Sequence, residues 1–221
     1  MANTLVVDHP AVADRLARLR DASTAMPVFR RLVEELGVFL AYEATRELAL
    51  RADDVTTPVG PAAVRRIAAR PVVAPILRAG LGLLPGFLSV VDDAIVAHLG
   101  FFRDPRTLEA IPYYANLPER LDDDAVFALD PMLATGHSAA AALDVLRARG
   151  ARQPMLLCLL AAPAGIAHLH DTHPRTRVVT CAIDERLNEH GYIVPGLGDV
   201  GDRMFGSASS VPMGYRMVTD R

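Results

Sequence analysis

Residues 130–138 read DPMLATGHS and join an apolar run, AVFAL, to an Ala-rich segment of helical periodicity. A strand–loop–helix junction of this kind turns backbone N–H groups toward an anion, and the start of the helix adds a favourable dipole. Here the N–H groups of 134–138 and the hydroxyls of Thr135 and Ser138 are the candidate phosphate donors. Asp130, at the strand end, is placed to meet a ribose hydroxyl or a metal ion. The bland alternative is a helix N-cap on Thr135 or Ser138 beside a solvated Asp. This is not a Walker A loop, because the GxxxxGK spacing is absent. A second junction, LRAGLG at 77–82, sets Arg78 between a strand and a Gly-containing turn. A guanidinium binds diphosphate bidentately, and Gly admits close backbone approach; a cap or a salt bridge is the competing role. Arg103 ends another apolar run and is a second candidate anion clamp, or simply a surface Arg.

These residues need strands to carry them. Short apolar runs at 71–77, 94–101, 125–129, 155–161 and 177–183 alternate with helical patterns at 81–90, 138–149 and 164–170. Buried strands alternating with helices predict an α/β fold with a mainly parallel sheet covered on both faces. The chemistry then belongs at the carboxyl ends of the strands. Pro75 suggests a strand end or edge at that point, since proline cannot donate to a ladder. The first fifty residues read as helix: Val12, Leu16 and Leu19 share a face, as do Phe29, Leu32, Val33, Leu36 and Leu40 beyond Pro27. Residues 51–60 read as a loop, and 103–118, with three prolines and Tyr113–Tyr114, as a lid or an interface arm. Residues 188–206 hold five of the 15 glycines, and 207–221 read as a loose tail.

The 221 residues are 51% hydrophobic and 22% charged, with a net charge of −3. That composition describes a globular chain without a broad basic field, which argues against nucleic-acid binding. All 23 basic residues are Arg, which removes lysine Schiff-base chemistry. No apolar run reaches the roughly 18 residues of a membrane span, and no signal peptide is seen at the N-terminus. Cys158 and Cys181 sit in apolar runs and read as buried reduced thiols. A cytoplasmic location is the expectation. His168, His170 and His173 do not share a helical face and read as solvated histidines. Residues 122–124, three aspartates, read as a polar turn.

Taken together, PILRAGLG, FFRD, DPMLATG and LNEHGYIVPGLGDVGDRMFG resemble the uracil phosphoribosyltransferase family over about 5–206. The resemblance implies the type I phosphoribosyltransferase fold in one domain, 1–206, with added N-terminal helices and a long arm or hood segment. It implies transfer of uracil onto phosphoribosyl diphosphate (PRPP), giving UMP and diphosphate in pyrimidine salvage, with Mg²⁺ held mainly by PRPP and in part by Asp130. The PRPP contacts it implies are Arg78, Arg103, Asp130, Pro131, Met132, Leu133, Ala134, Thr135, Gly136, His137, Ser138 and Asp199. Of these, Arg78, Arg103, Asp130 and Asp199 carry the chemistry. The uracil segment is Tyr192, Ile193, Gly198, Asp199 and Val200, read largely through main-chain groups. The peptide between Arg78 and Ala79 is expected to be cis. A GTP effector and a homo-oligomer are implied as well, with no residue here to place either.

One departure stands out. The family usually has Gly-Gly where this chain has Gly136-His137. The His side chain either blocks the phosphate or donates to it. It also keeps a second reading open, a PRPP- or nucleotide-binding regulator with reduced catalysis. A transferase for another base is a third reading, against which the Gly198-Asp199-Val200 context argues.

Overall fold

The computed structural model describes residues 3–103, 110–122 and 124–206. The chain opens with a short strand, β1 (Thr4–Val6), then α1 (Pro10–Arg20) and α2 (Met26–Ala44). An antiparallel hairpin follows, β2 (Leu50–Thr56) and β3 (Pro61–Ile67). Next come β4 (Arg70–Leu77), a 3₁₀ turn at Ala79–Gly82, α3 (Leu84–Val90), β5 (Ile95–Val96), β6 (His98–Arg103) and β7 (Ala110–Asn116). The second half runs β8 (Asp124–Leu129), β9 (Met132–Leu133), α4 (His137–Ala148), β10 (Met155–Ala161), α5 (Pro163–Thr172) and β11 (Val178–Ile183). It finishes with the pair β12 (Arg186–Leu187) and β13 (Ile193–Val194), then α6 (Val200–Phe205).

The central sheet has the order β1-β11-β10-β8-β4-β6-β7, with β5 beside β4 and β9 beside β10. Every pairing in it is parallel except β6 with β7. Alternation sorts each buried strand onto two cores. Val73, Leu157 and Leu159 face α1, α2, α3 and α6, whereas Val72, Ala74, Leu156 and Cys158 face α4 and α5. Phe29, Leu32, Val33, Leu36 and Leu40 of α2 are fully buried on the first side. Each such side chain contributes about 1.5–3 kcal/mol by leaving water, so this helix is a structural wall rather than an appendage.

Three expectations are corrected here. Only 57–60 of the segment 51–60 are a turn; 51–56 are strand, because the β2–β3 ladder pairs Leu50 with Ile67 through to Thr56 with Pro61. The adjacent charges Asp53-Asp54 and Arg65-Arg66 break the alternation of these mostly exposed strands, which hides them in the sequence. Pro75 lies in an interior strand, in register with Leu129. Val73 O accepts from Ala97 N, so two residues on Pro75 turns its nitrogen to the same side. There the ladder steps from β5, at Val72–Val73, to β6, at Ile76–Leu77, and a missing donor costs little. The N-terminal segment also adds β1, which pairs with β11 as an outer strand of the sheet.

The 103–118 segment contains β7, antiparallel to β6. Residues 104–109, the Arg103 side chain and the tail at 207–221 lie outside the described residues. Among the described residues no helix is long and apolar enough to cross a membrane. Cys158 and Cys181 are free and buried, and burial pushes the Cys158 thiol up to about 12, so neither is a nucleophile at neutral pH.

Candidate functional site

Three loops meet at the carboxyl end of the sheet. The first leaves β4 through a cis peptide between Leu77 and Arg78. The cis bond is not the Arg78–Ala79 one expected. Arg78 already has helical dihedrals, and its carbonyl accepts from Leu81 N to open the 3₁₀ turn. Gly80 packs so closely on the end of β8 that a Cβ there would collide with Leu129 O. A side chain at 80 would therefore push the Arg78 turn away from Asp130, which follows Leu129 directly.

The second loop runs from Asp130 to the start of α4. Gly136 caps α4 with φ +86° and ψ −12°, a left-handed conformation that glycine adopts without strain. A small pocket of about 60 Å³ is lined by Asp130, Met132, Leu133, Ala134, Thr135, Gly136, Ser138 and Ala139. It has the size of one tetrahedral anion and opens at a helix N-terminus. Pro131 is not on its wall. Its carbonyl accepts from Leu159 N and Leu160 N, which ties the loop to β10. His137 is not on the wall either. Its ring stacks on His168 of α5, with centroids 4.5 Å apart and planes 22° apart. The stack sets the His137 ring against α5, and the residue is not among those that line the pocket.

The third loop is the glycine-rich stretch. Together with Ala79, Asp130, Met132 and Ala134, residues 190–193 and 198–201 line a cleft of about 360 Å³. The cleft and the anion pocket share Asp130, Met132 and Ala134, so they lie side by side. Tyr192, Ile193, Gly198, Asp199 and Val200 all face the cleft. His190, Gly191 and Gly201 face it too, and the sequence alone assigns them no role. His190 lies within the NEHG segment, which was the only signal available. Asp199 also caps α6, accepting from Asp202 N at 2.8 Å. Arg78 projects to the same helix start, where its Nη2 lies 3.9 Å from Asp202 Oδ1. The guanidinium is 64% exposed, which leaves its donors available to a ligand.

Asp130 is the electrostatically unusual group. Desolvation pushes its pKa up to about 6, and the one opposing contact is Met132 N at 3.4 Å. Among the described residues no three His, Cys, Asp or Glu side chains gather into a metal cluster. The two carboxylates on the cleft, Asp130 and Asp199, nevertheless suit a hard divalent cation that brings phosphate oxygens as its other ligands. The α5 histidines are no such cluster. His173 is buried rather than solvated, with Nδ1 3.1 Å from Arg147 Nη1 and Nε2 3.4 Å from Asp144 Oδ1. The three-aspartate turn is structural where it is described: Asp122 pairs with Arg120 and Asp124 with Arg70.

A parallel sheet bearing an anion pocket, an exposed arginine and a glycine-rich loop at one end defines a class, the type I phosphoribosyltransferases. In solved structures, adenine phosphoribosyltransferase from Leishmania donovani matches the chain in fold, with a TM-score of 0.57 at 11% identity over 86% of this chain and 88% of that one. The AQ2163 protein from Aquifex aeolicus matches far more tightly, with a TM-score of 0.88 at 36% identity over 92% of this chain and 98% of that one. A family model described as uracil phosphoribosyltransferase matches residues 6–207. Uracil phosphoribosyltransferase from Staphylococcus aureus (strain Newman) is 45% identical over 208 residues, covering 94% of this chain and all of that protein. The chain belongs to the uracil phosphoribosyltransferase family.

Proposed function

We propose that the protein transfers the phosphoribosyl group of PRPP to uracil, giving UMP and diphosphate. The observation that carries this is the adjacency of the anion pocket and the glycine-rich cleft across Asp130, Met132 and Ala134. One site can hold a ribose 5-phosphate at one end and a small planar base at the other. Membership of the family supplies the choice of base.

The residues divide the work. The peptide N–H groups of 134–138 and the hydroxyls of Thr135 and Ser138 cradle the 5-phosphate, while Met132 and Leu133 form part of the wall of that pocket. Asp130 faces the ribose hydroxyls. Arg78, with Arg103 from the end of β6, neutralises the diphosphate as the bond from C1 of the ribose to its oxygen breaks. The ribose passes through an oxocarbenium-like state. N1 of uracil forms the new bond to C1 and gives up its proton to solvent. Tyr192, Ile193 and 198–200 hold the base, and Asp199 lies between base and PRPP. No covalent enzyme intermediate is needed, and catalysis is positioning plus electrostatics. Mg²⁺, held by Asp130 and the phosphates, would add positive charge to the leaving group.

A single domain over 1–206, action as a homo-oligomer in the cytoplasm, and activation by GTP belong to the same proposal. They rest on the resemblance to the family. The regulator reading is not favoured, since the family model and the curated relative both name a transferase and His137 is not among the residues lining the anion pocket.

The test is UMP formation from uracil, PRPP and Mg²⁺, with cytosine, hypoxanthine and adenine as competitors. Uracil-dependent UMP with little inhibition by the other bases is the expected result. PRPP binding without turnover of any base would favour the regulator.

A further inference from the structure

The base-side loop is gripped from a distance. Arg20, the last residue of α1, donates from Nη1 to Asp184 Oδ2 at 2.7 Å and to Gly196 O at 2.7 Å, and from Nη2 to Asp184 Oδ1 at 2.6 Å. Asp184 Oδ2 also accepts from Gly196 N at 2.8 Å. Both polar groups of residue 196 are thus held, the N–H by a carboxylate and the C=O by a guanidinium. Asp184 is only 7% exposed and follows β11 directly, so its partners are what compensate a buried charge. Gly196 has φ +62°, and a Cβ there would collide with Ile193 O, so the turn it forms is closed to other residues. One residue on, Leu197 O accepts from Arg203 Nη1 at 2.8 Å. Arg203 also donates to Leu19 O and Asp21 O, at the end of α1, and lies over the Phe29 ring.

The carbonyls of 196 and 197 are therefore engaged away from the cleft, and the residues on either side, 190–193 and 198–201, line it. Neither Arg20 nor Asp184 lines the cleft or the anion pocket. We propose that Arg20 and Asp184 are positioning residues for the base: they fix the 193–199 main chain so that its remaining peptide groups meet the hydrogen-bonding edge of uracil. This rests on the function proposed above. A main chain that reads a base must be held to a fraction of an ångström, because hydrogen bonds weaken steeply with angle and length. The hydrogen bonds between Arg20, Asp184 and Gly196 stop at residue 196, before Asp199, so the base side should feel their loss more than the PRPP side.

The experiment is steady-state kinetics of the full chain, varying uracil and PRPP in turn, for Arg20→Lys, Arg20→Gln and Asp184→Asn. The expected result is a uracil KM raised about tenfold or more in Arg20→Gln and Asp184→Asn, with the PRPP KM within about twofold of the parent. Arg20→Lys falls between, because an ammonium keeps the charge and loses the fork. The double variant Arg20→Gln/Asp184→Asn is no worse than the worse single one, as expected of two residues acting through one contact. Equal rises in both KM values, a loss confined to kcat, or additive effects would overturn the proposal. If the neutral variants do not fold, Arg20→Lys decides alone, and an unchanged uracil KM in that variant overturns it. A parent that forms no UMP defeats the functional reading first, which shows in the parent before any variant is compared.

Discussion

His137 and His168 stack face to face at 4.5 Å, across the contact between α4 and α5. The lining of the anion pocket passes from Gly136 to Ser138 without His137. The residue that departs from the family pattern thus packs its ring on α5 and is not part of the lining of the anion pocket. His137→Gly should leave the PRPP KM within about threefold of the parent. It should lower stability by about 1 kcal/mol through the lost ring contact. Initial rates against PRPP and a urea titration check the two parts.

Asp130 carries an opposed pair of consequences. Its pKa is raised by burial from 3.8 to about 6. Below pH 3.8 the carboxyl is protonated whether the chain is folded or not, and it has no effect on stability. Between 3.8 and about 6 the unfolded chain ionises first, so stability falls as pH rises; above 6 the penalty is constant. Two pH units correspond to at most about 3 kcal/mol. Asp130→Asn should therefore raise stability at pH 7.5, leave it little changed at pH 3.5, and lower kcat/KM for PRPP about 100-fold. Urea unfolding at both pH values, beside the activity assay, tests the trade.

Arg78 makes one long ion pair at the surface, to Asp202 at 3.9 Å. Such pairs contribute about 0–1 kcal/mol, so Arg78→Ala should unfold at nearly the parental urea concentration. Turnover should fall about 100-fold or more, because the departing diphosphate loses a guanidinium. Uracil affinity should change little. Parental activity in this variant would remove Arg78 from the diphosphate clamp.

Asp199 has two jobs on one side chain, facing the cleft and capping α6. Asp199→Ala should cost about 1 kcal/mol of stability from the lost cap and raise the uracil KM. Asp199→Asn keeps a capping oxygen and should recover the stability but not the uracil KM. Thermal melts and uracil saturation curves for the two variants separate the roles.

The sequence by itself determined the local units. The run AVFAL followed by DPMLATGHS dictates strand, loop and helix, because apolar periodicity and the positive-φ Gly136 are short-range matters. The same holds for Arg78 at the end of β4 and for the buried stripe of α2. Tertiary structure decided what those units do to one another. Pro75 is tolerated inside the sheet because β4 changes partners at that point, from β5 to β6. His137 stacks on His168, 31 positions along the sequence, a contact that only the packing of α4 on α5 makes. Asp130 is hard to ionise because the β8 end is desolvated, which no neighbour in sequence reveals. Arg20 reads as the end of an amphipathic helix until the fold brings it to Asp184 and Gly196, more than 160 residues away. Periodicity reports which face of an element is apolar. Which polar group meets which is fixed only when the sheet brings distant strand ends together and each buried charge must find its partner there.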